Sequence, residues 1–155
     1  MRPVTDLPLR FGTTADAALI TRLLKAFFSH EGREVAHLGQ NVQAILDDPG
    51  RGFFTLAGDK GVAATTIRIS ASGGASAEIE EIWVQPSARG QGLGARLLRT
   101  AVSECRRRGI ESIELRVTPD DQELGIPDFY AKQGFSHGGR LIYEYADADA
   151  MHGSS

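Results

Sequence analysis

The sequence predicts an α+β fold in one domain. Three observations carry that expectation: an amphipathic helical stripe near the start, a middle section of strand-like segments with period two, and a strand–turn–helix–strand unit after them. At 155 residues there is little room for a second independent core. Leu, Ile, Val and Phe make up about a quarter of the chain, which excludes the low-apolar signature of disorder.

Pro8-Leu9-Arg10-Phe11 reads as a short first strand. Over residues 14–29, Leu19, Ile20, Leu23, Leu24, Phe27 and Phe28 recur in pairs four apart, the apolar stripe of a helix. Thr13 with Asp16 three residues on is a capping signature, and Gly32 stands just past the end. A second helix is expected over 34–46, with Leu38, Val42, Ile45 and Leu46 on one side and Asp47-Asp48-Pro49-Gly50 as its stop. The period then changes. Residues 53–57 and 62–69 read as strands joined by the turn Gly58-Asp59-Lys60-Gly61. The small, polar, Gly-rich stretch 70–76 reads as a loop, and 78–84 as a third strand ended by Gln85-Pro86. A helix running from a glycine-rich turn to about residue 108 would bury Leu93, Leu97, Leu98, Ala101, Val102 and Cys105, with Gly109 as its stop. Ile113, Leu115 and Val117 alternate in the next strand, 129–133 is a short helix, and 134–135 with 141–145 form a final strand pair. The domain is expected over residues 1–146, with 147–155 as a flexible tail.

Several classes fall away. The one cysteine, Cys105, has no partner for an intrachain disulfide and lies on a buried stripe, so it reads as core in a reducing compartment. No stretch resembles a signal peptide or spans a bilayer, and His30, His37, His137, His152 and Cys105 lack zinc-ligand spacing. The expectation is a cytoplasmic protein without a metal or a membrane partner. The formal net charge is −3, yet six arginines (Arg89, Arg96, Arg99, Arg106, Arg107, Arg108) cluster against one acid, Glu104. One basic island on a mildly acidic chain suits a small anionic ligand; a nucleic acid would need a wider footprint.

The island begins at Arg89-Gly90-Gln91-Gly92-Leu93-Gly94, between a strand and a helix. Such a turn aims backbone N–H groups and the positive end of a helix dipole at phosphate oxygens. A P-loop would place Lys and then Ser or Thr after the last glycine, and Ala95-Arg96 stand there instead. The looser dinucleotide fingerprint is met by Gly90, Gly92 and Ala95, with Glu114 downstream. Against it, residues 85–89 separate strand from turn, and too little chain follows for a doubly wound sheet.

The segment Val84-x-Pro86-x-x-Arg89-Gly90-x-Gly92-Leu93-Gly94 resembles the acetyl-coenzyme A signature of the GNAT superfamily of N-acetyltransferases. Phe129-Tyr130-Ala131-Lys132-Gln133-Gly134-Phe135 is similar to a second segment of that family, and Leu9-Arg10-x-x-Thr13-x-x-Asp16 to its usual beginning. The resemblance covers nearly the whole chain. It implies a layered α/β/α fold with a mixed, mostly antiparallel sheet of six to seven strands and about four helices. It also implies direct attack of a small-molecule or peptide amine on acetyl-CoA within a ternary complex, and it leaves a homodimer open. A non-catalytic acyl-CoA sensor of the same fold is the alternative.

Residue by residue, the resemblance places the cofactor pyrophosphate on the backbone of Arg89, Gly90, Gln91, Gly92, Leu93, Gly94 and Ala95, and the pantetheine arm along Ile82 and Val84. Tyr130 matches the proton donor to the departing thiolate; a phenol is ordinarily protonated at pH 7 and suits that task. Glu78, Glu80 and Glu81 crowd the strand where relatives carry a base, and three carboxylates so close should raise one another's pKa. They also fit a solvated strand face. Alternation puts Glu78 and Glu80 on one face and Glu81 on the other unless a bulge intervenes, as it often does here in the family. Where many relatives have an Asn that touches pantetheine, this chain has Glu123, or Asp121 with a two-residue insertion, and Ile126-Pro127 replaces a usual Ala. Phe28, His30, Glu31 and Arg33 form a candidate acceptor patch at the end of the first helix.

Overall fold

The computed structural model describes residues 6–116, 126–136, 138 and 143–145, in two compact units, Met1–Thr118 and Pro119–Ser155. In the first unit, strands β1 (Leu9–Phe11), β2 (Gly52–Ala57), β3 (Gly61–Ser70), β4 (Gly74–Val84) and β5 (Ser112–Leu115) form one sheet in that spatial order. The first four are successive antiparallel neighbours, and β5 joins β4 in parallel. A parallel neighbour requires a crossover, and helix α3 (Leu93–Arg107) supplies it. Helices α1 (Ala17–His30) and α2 (Leu38–Leu46) lie earlier in the chain. The second unit holds α4 (Ile126–Lys132).

The sheet is buried on both faces. Phe54, Leu56, Val62, Ala64 and Trp83 pack with Ile20, Leu23, Leu24 and Phe28 of α1 and Val42 of α2. Ala57, Ala63, Ile82 and Val84 pack on the other face with Leu93 and Leu97 of α3. Two-sided burial explains why all six residues of β2 are buried and the strand shows no polar face.

Most elements stand where the sequence puts them, and the differences have local causes. The sheet has five strands among the described residues, fewer than the six to seven expected. Gly134 and Phe135 are turn and irregular backbone, and Leu141 and Ile142 of their expected partner lie outside the described residues, as do Val117 and the expected tail. The stretch 70–76 is mostly strand: Ser70 pairs with Gly74, so the connection shrinks to three residues. Gly, Ser and Ala give a strand no apolar alternation, so pattern reading misses it. Helix α2 begins at Leu38 because His37 adopts a left-handed backbone (φ 59°), which no helix continues through. On α3, Val102 is half-buried and Glu104 is buried. Arg107 and Arg108 both pair with that carboxylate, holding it below its ordinary pKa.

Candidate active site

A β-bulge organises the site. In the β3–β4 ladder Ala64 faces Glu81 and Thr65 faces Ile79, which leaves Glu80 without an opposite residue. Thr66 faces Glu78. Ala64 and Thr66 are two apart on an unbulged strand and share one face, so their partners Glu81 and Glu78 share it too. This is the face covered by α1 and α2, because Ala64 belongs to that core. The Thr66 hydroxyl donates to Glu80 Oε1 at 3.0 Å, holding the bulged residue against the same strand.

The three carboxylates have different environments. Glu78 is buried and takes an ion pair from Arg116 at 2.6 Å. Burial raises its pKa and the Arg116 charge opposes that rise, with a net upward shift. Glu80 is exposed and engaged by Thr66. Glu81 is half-buried, and among the described residues it makes no ion pair. Burial first, then the neighbouring Glu80 charge, push Glu81 up to about 7, against some relief from Arg33. Two causes add here: desolvation disfavours the anion, and a second anion nearby disfavours it further.

Arg33 reaches this region through the end of α1. Its N–H bonds the Phe28 carbonyl at 2.8 Å and that of Gly32 bonds Ser29 at 3.1 Å, the paired bonds of a Schellman stop. The stop turns the chain so that the Arg33 guanidinium lies 5.1 Å from the Phe28 ring centre. His30 and Phe27 both stack obliquely on Trp83, at 5.4 and 5.9 Å between ring centres. Beside these groups lies a cavity of about 140 Å³ between α1, α2 and the sheet. Its walls include Phe28, Leu38, Val42, Ala64, Glu80 and Glu81.

The same strand carries a second feature. β5 pairs with β4 only from Ser76 to Ile79, and β4 runs on to Val84. Among the described residues no strand covers that edge of β4 from Glu80 to Val84. The edge therefore offers main-chain hydrogen-bonding groups to an extended ligand. It leads directly to the turn before α3. There a short 3-10 turn (Pro86–Ala88) precedes Gly90 at φ 79° and Gly92 at φ 78°, both left-handed. No atom lies within 4 Å of where a Cβ would stand at either glycine, so the turn presents bare backbone. The first helical bond runs from Arg96 N–H to Gly92 O, leaving the amides of Leu93, Gly94 and Ala95 without intrahelical acceptors. With the dipole of a 15-residue helix behind them, they make a terminus whose chemistry suits an anion.

The side chains around the turn do less than their charge suggests. Arg89 lies 4.6 Å from the Trp83 ring centre, and its Nε donates to Val84 O at 2.9 Å. Leu93 is buried under the sheet, so only its backbone faces the turn. Arg96 donates to Leu7 O at 2.9 Å and, with Arg99, lines an open surface cavity of about 430 Å³. Arg108 donates to Pro49 O at 2.7 Å and stacks on Phe53. Among the described residues, no cluster of three His, Cys, Asp or Glu side chains suits a metal ion. No helix among them is long and apolar enough to cross a membrane.

In the second unit, α4 ends on a Schellman stop of its own. The Phe135 N–H bonds Tyr130 O at 3.1 Å and the Gly134 N–H bonds Ala131 O at 3.1 Å. The Phe135 and Tyr130 rings meet edge-on at 6.4 Å, and Phe129 flanks Tyr130 at 5.5 Å. The spacing of Phe129-Tyr130 and Gly134-Phe135 is thus that of a capped helix end carrying a tyrosine. Glu123 and Asp121 lie outside the described residues.

An open strand edge, a half-buried carboxyl group on it and a bare-backbone turn at a helix N-terminus thus follow one another along the chain. A profile of the Acetyltransferase (GNAT) family matches residues 17–135. The chain belongs to the GNAT family. It is 32% identical over 114 residues to glucosamine 6-phosphate N-acetyltransferase 1 of Oryza sativa subsp. japonica, a match covering 73% of this chain and 64% of that protein. In fold it is similar to a possible acetyltransferase from Clostridium difficile 630, with a TM-score of 0.78 at 19% identity over 90% of this chain and 97% of the other. The aminoglycoside N-acetyltransferase AAC(6')-Iy, solved in complex with CoA, gives 0.72 at 18% identity over 90% and 93%. The profile match sets the GNAT assignment, the chain spans under two thirds of the rice protein, and the two structures set the fold alone.

Of the residues singled out in the sequence, Glu78, Glu80, Glu81, Ile82 and Val84 fall on β4, and Arg89 to Ala95 on the turn it leads to. Glu81 joins Glu78 on one face, which alternation alone denies. Thr66 and Arg116 escaped the reading. Arg116 had a signal: it stands two residues beyond Glu114 of β5, which faces Glu78.

Proposed function

We propose that this GNAT chain transfers the acetyl group of acetyl-CoA to a primary amine by direct attack in a ternary complex, as one domain over residues 1–146. The observation that carries the reading is the edge of β4 that no strand covers among the described residues, which runs past Glu81 into the bare-backbone turn of α3. Acetyl-CoA supplies an activated thioester. The amides of Leu93, Gly94 and Ala95 hold its pyrophosphate, and the β4 edge at Ile82 and Val84 orients its arm.

Glu81 is the base. A carboxyl group with a pKa of about 7 is half-ionised at neutral pH and is matched to taking a proton from an ammonium group, directly or through a water. The amine nitrogen then bonds the acetyl carbon as the carbon–sulfur bond breaks. The departing thiolate takes a proton from the Tyr130 phenol, and the proton that the new amide nitrogen sheds restores the phenol, an assignment that rests on the motif around Tyr130. Glu78 is the positioning member of the group, held by Arg116, and Glu80 keeps the local charge that raises Glu81.

The test is a thermal shift with acetyl-CoA followed by thiol release with a panel of amines. A shift with amine-dependent release supports the reading. Absence of any shift at saturating acetyl-CoA removes the cofactor assignment, and a shift without release from any amine leaves an acyl-CoA-binding domain.

A further inference from the structure

The cavity between α1, α2 and the sheet carries information about the acceptor that the family does not. Its walls are apolar over most of their extent: Leu24, Phe28, Val35, Leu38, Val42 and Ile45 come from the helices, with Phe54 and Ala64 beneath. Three polar residues stand together, Glu80 and Glu81 on β4 with Thr66 bonded to Glu80 at 3.0 Å, and Asn41 and Thr65 complete the polar lining. Neither Lys nor Arg is among the lining residues. At about 140 Å³ the space matches the roughly 150 Å³ known to take a benzene-sized body in an apolar protein cavity.

These features select by exclusion and by fit. A phosphorylated sugar would bring two negative charges into a lining that holds Glu80 and Glu81 and no cation, while Arg33, outside that lining over Phe28, already offsets the charge at Glu81. Its hydroxyls would face alkyl and aryl walls and lose hydrogen bonds to water without replacement. A multi-ring aminosugar meets the same walls and exceeds the space. A compact amine fits: its ammonium group lies at the carboxylate end and its apolar body fills the pocket.

We infer that the acceptor is a primary amine carrying one compact apolar body, of the arylalkylamine class, with its nitrogen at Glu81 and its body between α1 and α2. The inference rests on the acetyl-transfer reading and narrows it. In the reaction the ammonium yields one proton to Glu81, the freed amine gains an N–C bond to the acetyl carbon, and the second proton that nitrogen loses replaces the one given to the thiolate. The thioester C–S bond breaks, and the products are an N-substituted acetamide and the CoA thiol.

The experiment compares kcat/KM for phenethylamine, glucosamine 6-phosphate and kanamycin, in wild type and in Leu38→Trp, which fills the pocket from α2. The expected result is at least a tenfold preference for phenethylamine in wild type. In Leu38→Trp its KM rises at least tenfold, with the KM for acetyl-CoA unchanged. Equal or better use of the sugar phosphate or kanamycin, or amine transfer that excludes phenethylamine, overturns the inference while acetyl transfer stands. An unchanged KM for phenethylamine in Leu38→Trp overturns the pocket assignment. Loss of the acetyl-CoA thermal shift in the variant reports misfolding, and Ile45→Trp, two turns along α2, then takes its place. If wild type shows no acetyl-CoA shift at all, the failure belongs to the parent reading. Calorimetric titration with phenethylamine then decides the inference alone: binding that weakens tenfold in the filled variant sustains it, and no binding removes it.

Discussion

Glu81→Gln should make the protein more stable and less active, each with its own pH dependence. Glu81 is raised from an ordinary 4.5 to about 7, chiefly by burial. A carboxyl whose folded pKa exceeds its unfolded pKa favours folding in its protonated form. Below about 4.5 it makes no difference to stability; as pH rises to 7 the folded state is progressively penalised, and above 7 the penalty is complete. The full shift corresponds to about 3 kcal/mol at pH 8.5 and about 1 kcal/mol at pH 5. Partial solvent access at a half-buried site halves these figures, leaving a difference near 1 kcal/mol between the two pH values. Gln is isosteric and carries no charge to bury. Its advantage in Tm over wild type should therefore be about 2–4 °C larger at pH 8.5 than at pH 5. Thermal denaturation monitored by circular dichroism at both pH values reads this directly. Thiol-release rates should show wild-type kcat/KM climbing through about pH 7, and the variant losing roughly 100-fold or more together with that limb. A Tm difference that does not vary with pH would refute the burial argument. An unchanged rate and pH profile would refute the base.

Other substitutions probe the remaining parts. Gly92→Ala places a side chain at φ 78° with open space around it, so the cost is backbone alone, roughly 1–2 kcal/mol by denaturant titration. In the proposed complex phosphate approaches bare backbone here, so the added methyl group should raise the KM for acetyl-CoA roughly tenfold; no change would remove phosphate from that turn. Tyr130→Phe should lower kcat roughly 100-fold with acetyl-CoA affinity intact, and full turnover would end its role as donor. Cys105 is fully buried and its thiol is pushed up by burial, so native protein should resist alkylation at pH 8. Cys105→Ser should cost about 1–3 kcal/mol of stability and leave rates unaltered at 25 °C; rapid alkylation or lost activity would contradict a core assignment.

The elements that were legible in the sequence are those whose apolar period is strong. The paired stripe of α1, the run of β2 and the stripe of α3 each bury most of the residues their spacing selects. The glycine turn was legible because its chemistry is in the backbone and glycine is how a sequence writes bare backbone. What escaped is non-local. The bulge at Glu80 arises from register against β3, and a period-two pattern has no way to count an extra residue on one strand. It decides which face Glu81 occupies, and hence whether it meets the helices or the opposite layer. The arginine island was legible as charge and misleading as geometry. Arg89 is drawn back onto Trp83, while Arg107 and Arg108 serve a buried glutamate that the helical stripe does not mark.

In the proposed complex the β4 edge and the α3 turn together hold acetyl-CoA beside Glu81. Amide chemical-shift mapping of the labelled protein on titration with acetyl-CoA tests it most directly. The largest shifts are expected at the amides of Ile82 and Val84 and from Gly90 to Ala95, with smaller ones on α2. Saturable shifts confined to other surfaces, with those amides unmoved, would contradict it.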